Sequence, residues 1–454
     1  MTNAGSVKEC TLLIRNAAVW TVDAERRTYA PGAIAIAGNK IIDVGLDHVI
    51  AQRYSTCNTL DAGGGIVHPG FVDGHTHVSM HLTREAFPDA PNSSTYFTSL
   101  IRSLNALTPE DEHASALLAA SQMVRAGITT FADSGSVINA EPVSEAIECV
   151  GMRGLLADPF VWDLEDGEWT RGLAQFSCDK SGAIERLGGQ LWRNASDGLV
   201  RGHIALWGLG TASDTLLLEA KSRADAADVS LTMHQSMEPR DVARDTKRHG
   251  RAPIAHLKKI GFLGRNVSLS HMNVLSDTDK EAVGDSGSSI VWIPGQFFFY
   301  SLPAHTRSPI AELVTRNTTI ALGSDVAKAW GYGEQALLGY LAMRAGGDYI
   351  PAESFLEMST MGGARSLMMS NRIGSIEPGK LADIVIRESM VPELQPGINR
   401  IRSMMLGARS KGVRTVLVNG VIVLNNGRLT QFDEEEVYRL GRRRALALMK
   451  RVDI

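Results

Sequence analysis

Cysteine is scarce in this chain, and its few copies are scattered. The 454 residues include only four, at positions Cys10, Cys57, Cys149 and Cys178. No two of them form a Cys-x-x-Cys pair, so the sequence predicts neither a disulfide framework nor a zinc site built from cysteines. Isolated free cysteines are typical of a protein in a reducing compartment, and we therefore expect a cytoplasmic location.

The chain also lacks a strong excess of either charge. Its 46 basic and 50 acidic side chains leave a formal net charge of −4 at pH 7. This balance argues against nucleic acid or an anionic membrane as a partner. No run of about 18 apolar residues is available to span a bilayer, and the first residues show no signal-peptide pattern. We expect no membrane partner.

The two ends of the sequence differ from its middle. Short alternating β segments occur near both ends, and Asn419-Gly420 between apolar runs is the strongest short hairpin signal. In the middle, apolar β runs alternate with helical segments, which predicts a parallel sheet. We predict an α/β fold with a (β/α)8 TIM barrel over residues 67–374, because its length suits that fold. A small β-sandwich domain is expected from residues 1–66 and 375–432, followed by a C-terminal helix over 433–454.

Histidines and an aspartate follow the β runs of the middle region. His75 and His77 come two residues apart after an apolar run, and side chains at i and i+2 of a strand share one face. His234, His271 and Asp325 each end a later β run. The C-terminal ends of barrel strands meet at one face, so we expect these five side chains to converge. Imidazole and carboxylate groups are good ligands for zinc and similar ions, and the pattern therefore predicts a metal site.

Three motifs resemble those of the amidohydrolase superfamily. They are Pro-Gly-Phe-Val-Asp-Gly-His-Thr-His at residues 69–77, Ala-Arg-Ser-Leu at residues 364–367, and Gly-Ser-Ile-Glu-Pro-Gly-Lys-Leu-Ala-Asp-Ile-Val at residues 374–385. The resemblance covers nearly the whole chain. Within the superfamily, the sequence looks most like the branch that holds triazine hydrolases and nucleoside or guanine-type deaminases.

The resemblance implies a role for each residue of the predicted metal site. The implied ligands of one divalent ion are His75, His77, His234 and Asp325. The ion would be zinc, with Fe²⁺ or another divalent metal as the alternatives. Asp325 would also take the proton of the attacking water, and His271 would assist the reaction. Binuclear relatives use a carboxylated lysine after the fourth strand. The corresponding residues here, 204–213, contain no lysine, so we expect one metal per chain.

The sequence departs from this branch beside the third histidine. The branch usually carries His-x-x-Glu there, and the glutamate passes a proton to a ring nitrogen of the substrate. This chain has Met237 at that position and Glu238 one residue later. Two hypotheses follow. Either Glu238 takes the shuttle role, or Met237 lines the pocket and Asp325 performs all the proton transfers.

Further substrate contacts are predicted in two loops. Residues 292–300 read Trp-Ile-Pro-Gly-Gln-Phe-Phe-Phe-Tyr, which either forms the core of the next helix or walls a flat apolar pocket. An arginine after the His-x-His motif could bind an anionic group of the substrate. The histidine at 305 either touches the substrate or lies on the surface. The predicted substrate-binding residues are His81, Arg84, Met237, Trp292, Phe297 and His305.

These observations lead to one functional hypothesis and one alternative. The hypothesis is a hydrolase in which metal-bound hydroxide attacks an sp² carbon of a small cyclic or aromatic molecule. The bond cleaved would be C–N or C–halide, by deamination, amide or carbamate hydrolysis, or dechlorination. The alternative is a non-catalytic barrel that binds a small molecule, and the complete set of ligands argues against it. The family resemblance also implies a homodimer or homotetramer.

Overall fold

The computed structural model describes residues 7–86, 93–165, 167–176, 179–326 and 328–453. In these ranges the strands β1 to β20 are, in chain order, Lys8–Glu9, Leu12–Trp20, Thr28–Ala37, Lys40–Leu46, Tyr54–Ser55, Thr59–Asp61, Ile66–Pro69, Phe71–Thr76, Ile128–Asp133, Arg153–Leu156, Val200–Gly202, Ile204–Gly208, Leu231–Gln235, Val267–His271, Ser289–Trp292, Ile320–Leu322, Ile384–Arg387, Val413–Val418, Val421–Asn425 and Arg428–Leu429. The helices α1 to α17 are Asp47–Arg53, Ser93–Asn105, Pro109–Arg125, Ala140–Val150, Gly167–Gly172, Lys180–Arg186, Asp214–Ala227, Pro239–His249, Pro253–Lys259, Asp277–Gly284, Pro294–Phe299, Ile310–Thr315, Gln335–Ala345, Ala352–Glu357, Gly363–Ser366, Arg400–Arg402 and Glu434–Val452. Short 3-10 and π turns connect several of them.

Strands from both ends of the chain form one sheet. Its order is β20-β19-β18-β17-β7-β2-β3-β4, with β6 paired to β2. The two halves meet where β7 and β17 pair in antiparallel register, with Pro69 opposite Ile384. The strand Ile66–Pro69 therefore belongs to this sheet, although the sequence places residues from 67 onward in the barrel.

The middle of the chain forms two parallel sheets. One has the order β11-β10-β9-β8 and the other β12-β13-β14-β15-β16. Two junctions connect them. A single residue, His203, separates β11 from β12, and a parallel bridge joins Thr76, at the end of β8, to Asp325 beyond β16. The strands are buried on both faces, as parallel strands covered by helices are.

A glycine permits the close approach of β8 and β16 at the second junction. A Cβ atom on Gly323 would lie only 2.8 Å from the Cβ of His75. The backbone N–H of Asp325 donates to the carbonyl oxygen of His75 at 2.9 Å. A larger side chain at 323 would separate the two strands, so this glycine sets the distance between His75 and Asp325.

A buried ion pair ties the parallel strands to the nine-stranded sheet. The guanidinium of Arg153 in β10 lies 3.3 Å from the carboxylate of Asp383, and both side chains are almost completely buried. Asp383 also accepts a hydrogen bond from the backbone N–H of Asn419 at 2.7 Å. These contacts join β10 of the middle region to the nine-stranded sheet. They therefore hold the middle region against the part of the fold that is built from the two ends of the chain.

The C-terminal helix α17 packs against α3. Asp433 caps its first turn, and Val437 and Leu448 are buried in the contact. Arg444 donates to the buried carboxylate of Asp111 at 2.8 Å. Among the helices of the described residues, none combines the length and apolar character needed to cross a membrane. Cys178 lies outside the described residues, and the other three cysteines are free thiols.

Candidate active site

Five side chains converge where the parallel strands end. His75 lies near the end of β8 and His77 directly follows that strand, while His234 and His271 lie at the ends of β13 and β14. Asp325 follows β16 by three residues. Neighbouring parallel strands end at the same edge, so these separate parts of the sequence meet at one point. The structure thus brings together all five residues predicted from the strand-end pattern.

The distances within this cluster are those of groups that can share one ion. Nε2 of His77 lies 3.3 Å from Nε2 of His234 and 3.6 Å from a carboxylate oxygen of Asp325. Nε2 of His271 lies 3.8 Å from the other oxygen of Asp325. Nitrogen atoms of His75, His234 and His271 lie within 4.8 Å of one another, as do the ligand atoms of His75, His77 and Asp325.

Three of the imidazoles are oriented through their Nδ1 atoms. Nδ1 of His75 lies 2.6 Å from the hydroxyl of Ser134, and Nδ1 of His77 lies 2.9 Å from the hydroxyl of Ser136. Nδ1 of His234 donates to the carbonyl oxygen of Trp207 at 2.9 Å. With Nδ1 engaged in this way, Nε2 of each ring faces the centre of the cluster, as is usual for metal-binding histidines.

Burial keeps the histidines neutral. Desolvation lowers the pKa of His77 to about 3 and that of His271 to about 3. It also lowers the pKa values of His75 and His234 below their ordinary range. Each imidazole therefore carries a free lone pair at neutral pH, which is the form that binds a metal.

The carboxylate of Asp325 is held by two hydrogen bonds and stays ionised. The side-chain amide of Gln296 donates to Oδ2 at 2.7 Å, and the backbone N–H of Val326 donates to Oδ1 at 2.5 Å. Burial disfavours the charged form, but the positive charge of the Lys328 ammonium opposes this effect, and the pKa of Asp325 lies below its ordinary range. A carboxylate so placed can bind a cation and also accept a proton from water.

The donor atoms present fit a divalent metal ion. Nε2 of His75 and both ring nitrogens of His271 are buried without a hydrogen-bond partner. Nδ1 of His234 carries its proton, so the bare Nε2 of this ring points at Nε2 of His77 across 3.3 Å. Buried acceptors without donors are costly, and a cation between them would satisfy them together. Three or four imidazoles and one carboxylate are a donor set typical of zinc and similar ions.

The cluster lies at the base of a cavity with aromatic walls. The cavity has a volume of about 370 Å³, which suits a small molecule. His77, His234, His271 and Asp325 form part of its surface. The aromatic and methionine side chains that line it are Met80, Tyr96, Phe97, Trp169, Trp207, Met237 and Tyr300. Flat apolar walls of this kind favour a planar ring as the ligand.

The structure places Met237 and Glu238 differently. Met237 lines the cavity. Glu238 is the N-cap of α8, where its side chain accepts from the backbone N–H of Asp241 and from the guanidinium of Arg240 at 3.2 Å. Glu238 is absent from the cavity lining among the described residues. The one-residue shift thus places the carboxylate at the start of α8, where it caps the helix.

The other predicted substrate contacts require correction. Trp292 and Phe297 are completely buried in the main hydrophobic core rather than at the cavity surface, because β15 and α11 turn these side chains inward. His81 lies 3.2 Å from the hydroxyl of Tyr332, and Arg84 donates to Gln122 at 2.8 Å, so both face away from the cavity. His305 is exposed after a short turn. Of the six predicted contacts, the cavity includes only Met237 among the described residues.

Sequence reasoning missed several residues that the cavity includes. Trp207 packs beside His234, with ring centroids 4.6 Å apart and the ring planes tilted by 44°. Tyr300 ends the aromatic run that also contains Phe297, and it lines the cavity whereas Phe297 does not. Lys328 lies three residues after Asp325. Its position close to a predicted metal ligand was the one feature of the sequence that could have indicated a place in the cavity. Nothing in the local sequence distinguishes Tyr300 from the phenylalanines before it.

The chain is similar in sequence and in structure to several known proteins. The model of the amidohydrolase family matches residues 66–423. A 5-methylthioadenosine/S-adenosylhomocysteine deaminase of Syntrophobacter fumaroxidans is 31% identical over 440 residues, covering 94% of this chain and 95% of the relative. An adenosine deaminase of Xanthomonas campestris, solved with bound zinc, superposes with a TM-score of 0.88 at 22% identity, covering 98% of this chain and all of the other. Atrazine chlorohydrolase of Arthrobacter aurescens, complexed with zinc, gives 0.83 at 22% identity, covering 96% and 100%.

The fold and the site define a hydrolase that cleaves carbon–nitrogen bonds other than peptide bonds in small molecules. The chain belongs to the amidohydrolase family, because the family model matches more than half of it. The predicted branch is confirmed by relatives named as deaminases and by structural neighbours that include an adenosine deaminase and a triazine hydrolase. The family and these neighbours imply a TIM-barrel fold with a small additional domain. The alternative of a non-catalytic binding module is not supported.

Proposed function

We propose that this chain is a mononuclear, zinc-dependent hydrolase that removes an amino group from a sp² carbon of a small planar ring. The observation that carries the proposal is the position of four histidines and one aspartate at the base of an aromatic-walled cavity. The deaminase names of relatives that match almost the full chain support the same reaction. A planar ring would lie against Trp207 and Tyr300 with its reacting carbon towards the histidines.

We assign His75, His77, His234 and Asp325 as the ligands of one zinc ion, with another divalent metal as the alternative. When bound, the ion would lower the pKa of a water ligand towards 7 and so supply a nucleophile at neutral pH. His271, buried beside Asp325 with both ring nitrogens free, would donate to or accept from the substrate at the reacting carbon. The turn after β12 contains no lysine to bridge a second ion.

Asp325 would accept the proton of the attacking water and pass it to the departing amine. Each of its carboxylate oxygens takes one hydrogen bond from the protein, from Gln296 and from Val326. These bonds fix the plane of the carboxylate and leave lone pairs on both oxygens for metal and water. General-base catalysis depends on such positioning, because the base must lie within hydrogen-bond reach of the proton.

Replacing Gln296 by methionine is expected to lower kcat by about 10- to 100-fold, because a hydrogen bond to a charged group contributes about 1.5–3 kcal/mol. KM should change little, since the contact is to Asp325 rather than to substrate. Steady-state kinetics on the substrate found below would measure both. Gln335→Met is the matched control, because Gln335 is also buried and, among the described residues, accepts a hydrogen bond from the backbone N–H of Gly295 rather than contacting Asp325. Equal losses in the two variants would contradict the assignment.

Replacing Glu238 by glutamine is expected to leave kcat within about threefold of the wild type, because its carboxylate caps α8 and pairs with Arg240. Met237→Ala, by contrast, should raise KM, because the shorter side chain enlarges the cavity and removes a contact with the substrate. The two variants are compared by steady-state kinetics. A loss of several orders of magnitude in Glu238→Gln would restore the proton-shuttle hypothesis.

A second reaction is favoured by the side chain at 237. Deamination of a ring needs a proton donor for the ring nitrogen, and Met237 cannot provide one, so Asp325 would have to pass protons from the attacking water to both the ring nitrogen and the leaving amine. Hydrolysis of a cyclic amide or carbamate needs only a polarised carbonyl and a protonated leaving group. This second candidate uses the same metal ligands and the same Asp325.

A panel of compounds tests both candidates directly. Purified protein loaded with zinc is incubated with amino-substituted, amide, carbamate and chlorinated heterocycles, and the released ammonia, amine or chloride is identified. Ammonia from an amino-substituted ring supports the main proposal, and ring opening of an amide or carbamate supports the second. Absence of any release across the panel from metal-loaded protein would contradict both.

We also propose that the two parallel sheets form a single eight-stranded barrel, in which β11 and β12 count as one strand because only His203 separates them. Continuity at His203 and the bridge between Thr76 and Asp325 support this closure. We place the domain boundary after Pro69 rather than at 66, because β7 pairs within the nine-stranded sheet. The remaining units are the barrel to residue 374, the sandwich part at 375–432 and the helix at 433–454. The homo-oligomer and the cytoplasmic location stay predictions.

A further inference from the structure

Lys328 forms part of the cavity wall close to the histidine cluster. The residue follows Asp325 by three positions and lines the same cavity as His77 and His271. Its side chain is buried. Burial lowers the pKa of Lys328 to about 8, so the ammonium form predominates at neutral pH. This positive charge lowers the pKa of Asp325, but no step of the hydrolytic reaction described above uses it to bind the substrate.

Four aromatic rings surround the ammonium group. Its nitrogen lies 4.6 Å from the ring centroid of Tyr96 and 4.9 Å from that of Phe299. The rings of Trp330 and Tyr300 are 5.6 and 5.8 Å away. Tyr96 and Tyr300 also line the cavity, whereas Phe299 and Trp330 do not. The cage stabilises the cation through the ring faces and holds it at the boundary of the cavity.

The ammonium has no hydrogen-bond acceptor among the described residues. It also forms no ion pair within them, unlike the two arginines that share the cavity surface. Arg240 pairs with Glu238 at 3.2 Å, and Arg244 pairs with Asp245 at 2.9 Å. The negative charge of Asp325 favours the ammonium form of Lys328 but satisfies none of its three N–H donors, and buried donors without acceptors are unfavourable. A ligand in the cavity that brings an acceptor would remove this cost.

We propose that Lys328 is the anion-binding subsite of this cavity and selects a planar ring substrate that carries a carboxylate or an equivalent oxyanion. The inference rests on the proposed hydrolytic function and names the class of its substrate. An anionic oxygen is the acceptor that gains most from a desolvated ammonium, because charge-assisted hydrogen bonds are about twice as strong as neutral ones. The aromatic walls bind the ring, and Lys328 binds the charged group.

Nicotinate and nicotinamide are suitable probes for this subsite. Both are planar pyridines of nearly equal size, and only nicotinate carries a carboxylate. Calorimetric titration of zinc-loaded protein at neutral pH would give the dissociation constant of each probe. We expect nicotinate to bind the wild type about 10-fold more tightly than nicotinamide, and we expect Lys328→Met to bind both about equally. Lys328→Arg keeps the charge and should retain part of the preference.

Two controls separate this effect from others. Lys258→Met removes a lysine that is exposed and pairs with Asp285 on the surface, so it should keep the full preference. Lys328→Gln provides a second neutral side chain if Lys328→Met does not fold. A preference that survives in both neutral variants would show that the carboxylate is bound elsewhere, for example at the metal, and would overturn the proposal. Failure of nicotinate to bind the wild type in the millimolar range, or equal binding of the two probes, would also overturn it.

The outcomes also distinguish this inference from the proposed function. A nicotinate preference that depends on Lys328, together with no product from the heterocycle panel, would leave the subsite and reject the reaction. Hydrolysis of neutral rings with unchanged KM in Lys328→Met would keep the reaction and reject the subsite. If both hold, the best substrate of the panel should be an anionic ring, and Lys328→Met should raise its KM at least about 10-fold.

Discussion

Asp325→Asn is expected to lower kcat by at least about 1,000-fold while leaving the fold intact. The asparagine keeps the size of the side chain but cannot accept a proton from water, and general-base catalysis contributes about 100- to 10,000-fold. It also weakens a metal ligand, because an amide oxygen carries no full charge. Both bonds that position the carboxylate, from Gln296 and Val326, end on this residue.

Three measurements belong together in that experiment. Turnover gives the loss, elemental analysis gives the zinc content, and circular dichroism with thermal unfolding reports the fold. Asp277→Asn is the matched control, because the same chemical change is made at a side chain that is 91% exposed, and wild-type activity is expected. Asp325→Asn with near-normal turnover and full zinc content would exclude the proton-transfer role.

Removal of the metal is expected to abolish activity and to lower the melting temperature, and one equivalent of zinc should restore both. The orphaned nitrogens of His75 and His271 explain the second effect, since they have no other partner among the described residues. A ligand present at about 1,000 times its dissociation constant stabilises the folded state by about 4 kcal/mol. Dialysis against a chelator, followed by stepwise addition of zinc, would follow activity and melting temperature together.

The metal content of the restored protein decides between one site and two. We expect activity to reach its plateau at one zinc per chain, and we expect His234→Ala to abolish zinc uptake. The exposed His305 provides the control, since His305→Ala should take up zinc as the wild type does. Full activity in the chelated protein, or a plateau at two ions per chain, would contradict the mononuclear centre.

The residues of the histidine and aspartate cluster were predictable because they obey a local rule. A histidine at the end of an apolar β run can be recognised from a few neighbouring residues, and His75 and His77 add the two-residue spacing of a strand. The α/β class was predictable for a similar reason, since strands and helices alternate along the middle of the chain. The motif at residues 69–77 also identified the family that the comparisons then showed.

The cavity walls were not predictable in the same way. Phe297 and Tyr300 lie in one aromatic run, yet Phe297 packs from α11 into the core while Tyr300, just beyond the end of that helix, lines the cavity. His81 and Arg84 follow the His-x-His motif closely, but the short turn after β8 directs them to Tyr332 and Gln122. Each residue along a helix changes the direction of the side chain by about 100°, so neighbouring residues of one run can face the core or the cavity.

The sequence by itself determined the fold class, the family and the residues that can bind a metal, because strand periodicity and donor chemistry are properties of neighbouring residues. Only the tertiary structure decided what surrounds them. It turned Glu238 into a helix cap, left Met237 at the cavity, and enclosed Lys328 in aromatic rings contributed by α2, α11 and the loop after β16. The contact between Lys328 and Tyr96 joins residues that are more than 200 positions apart in the chain, and its geometry depends on how the strands and helices pack together.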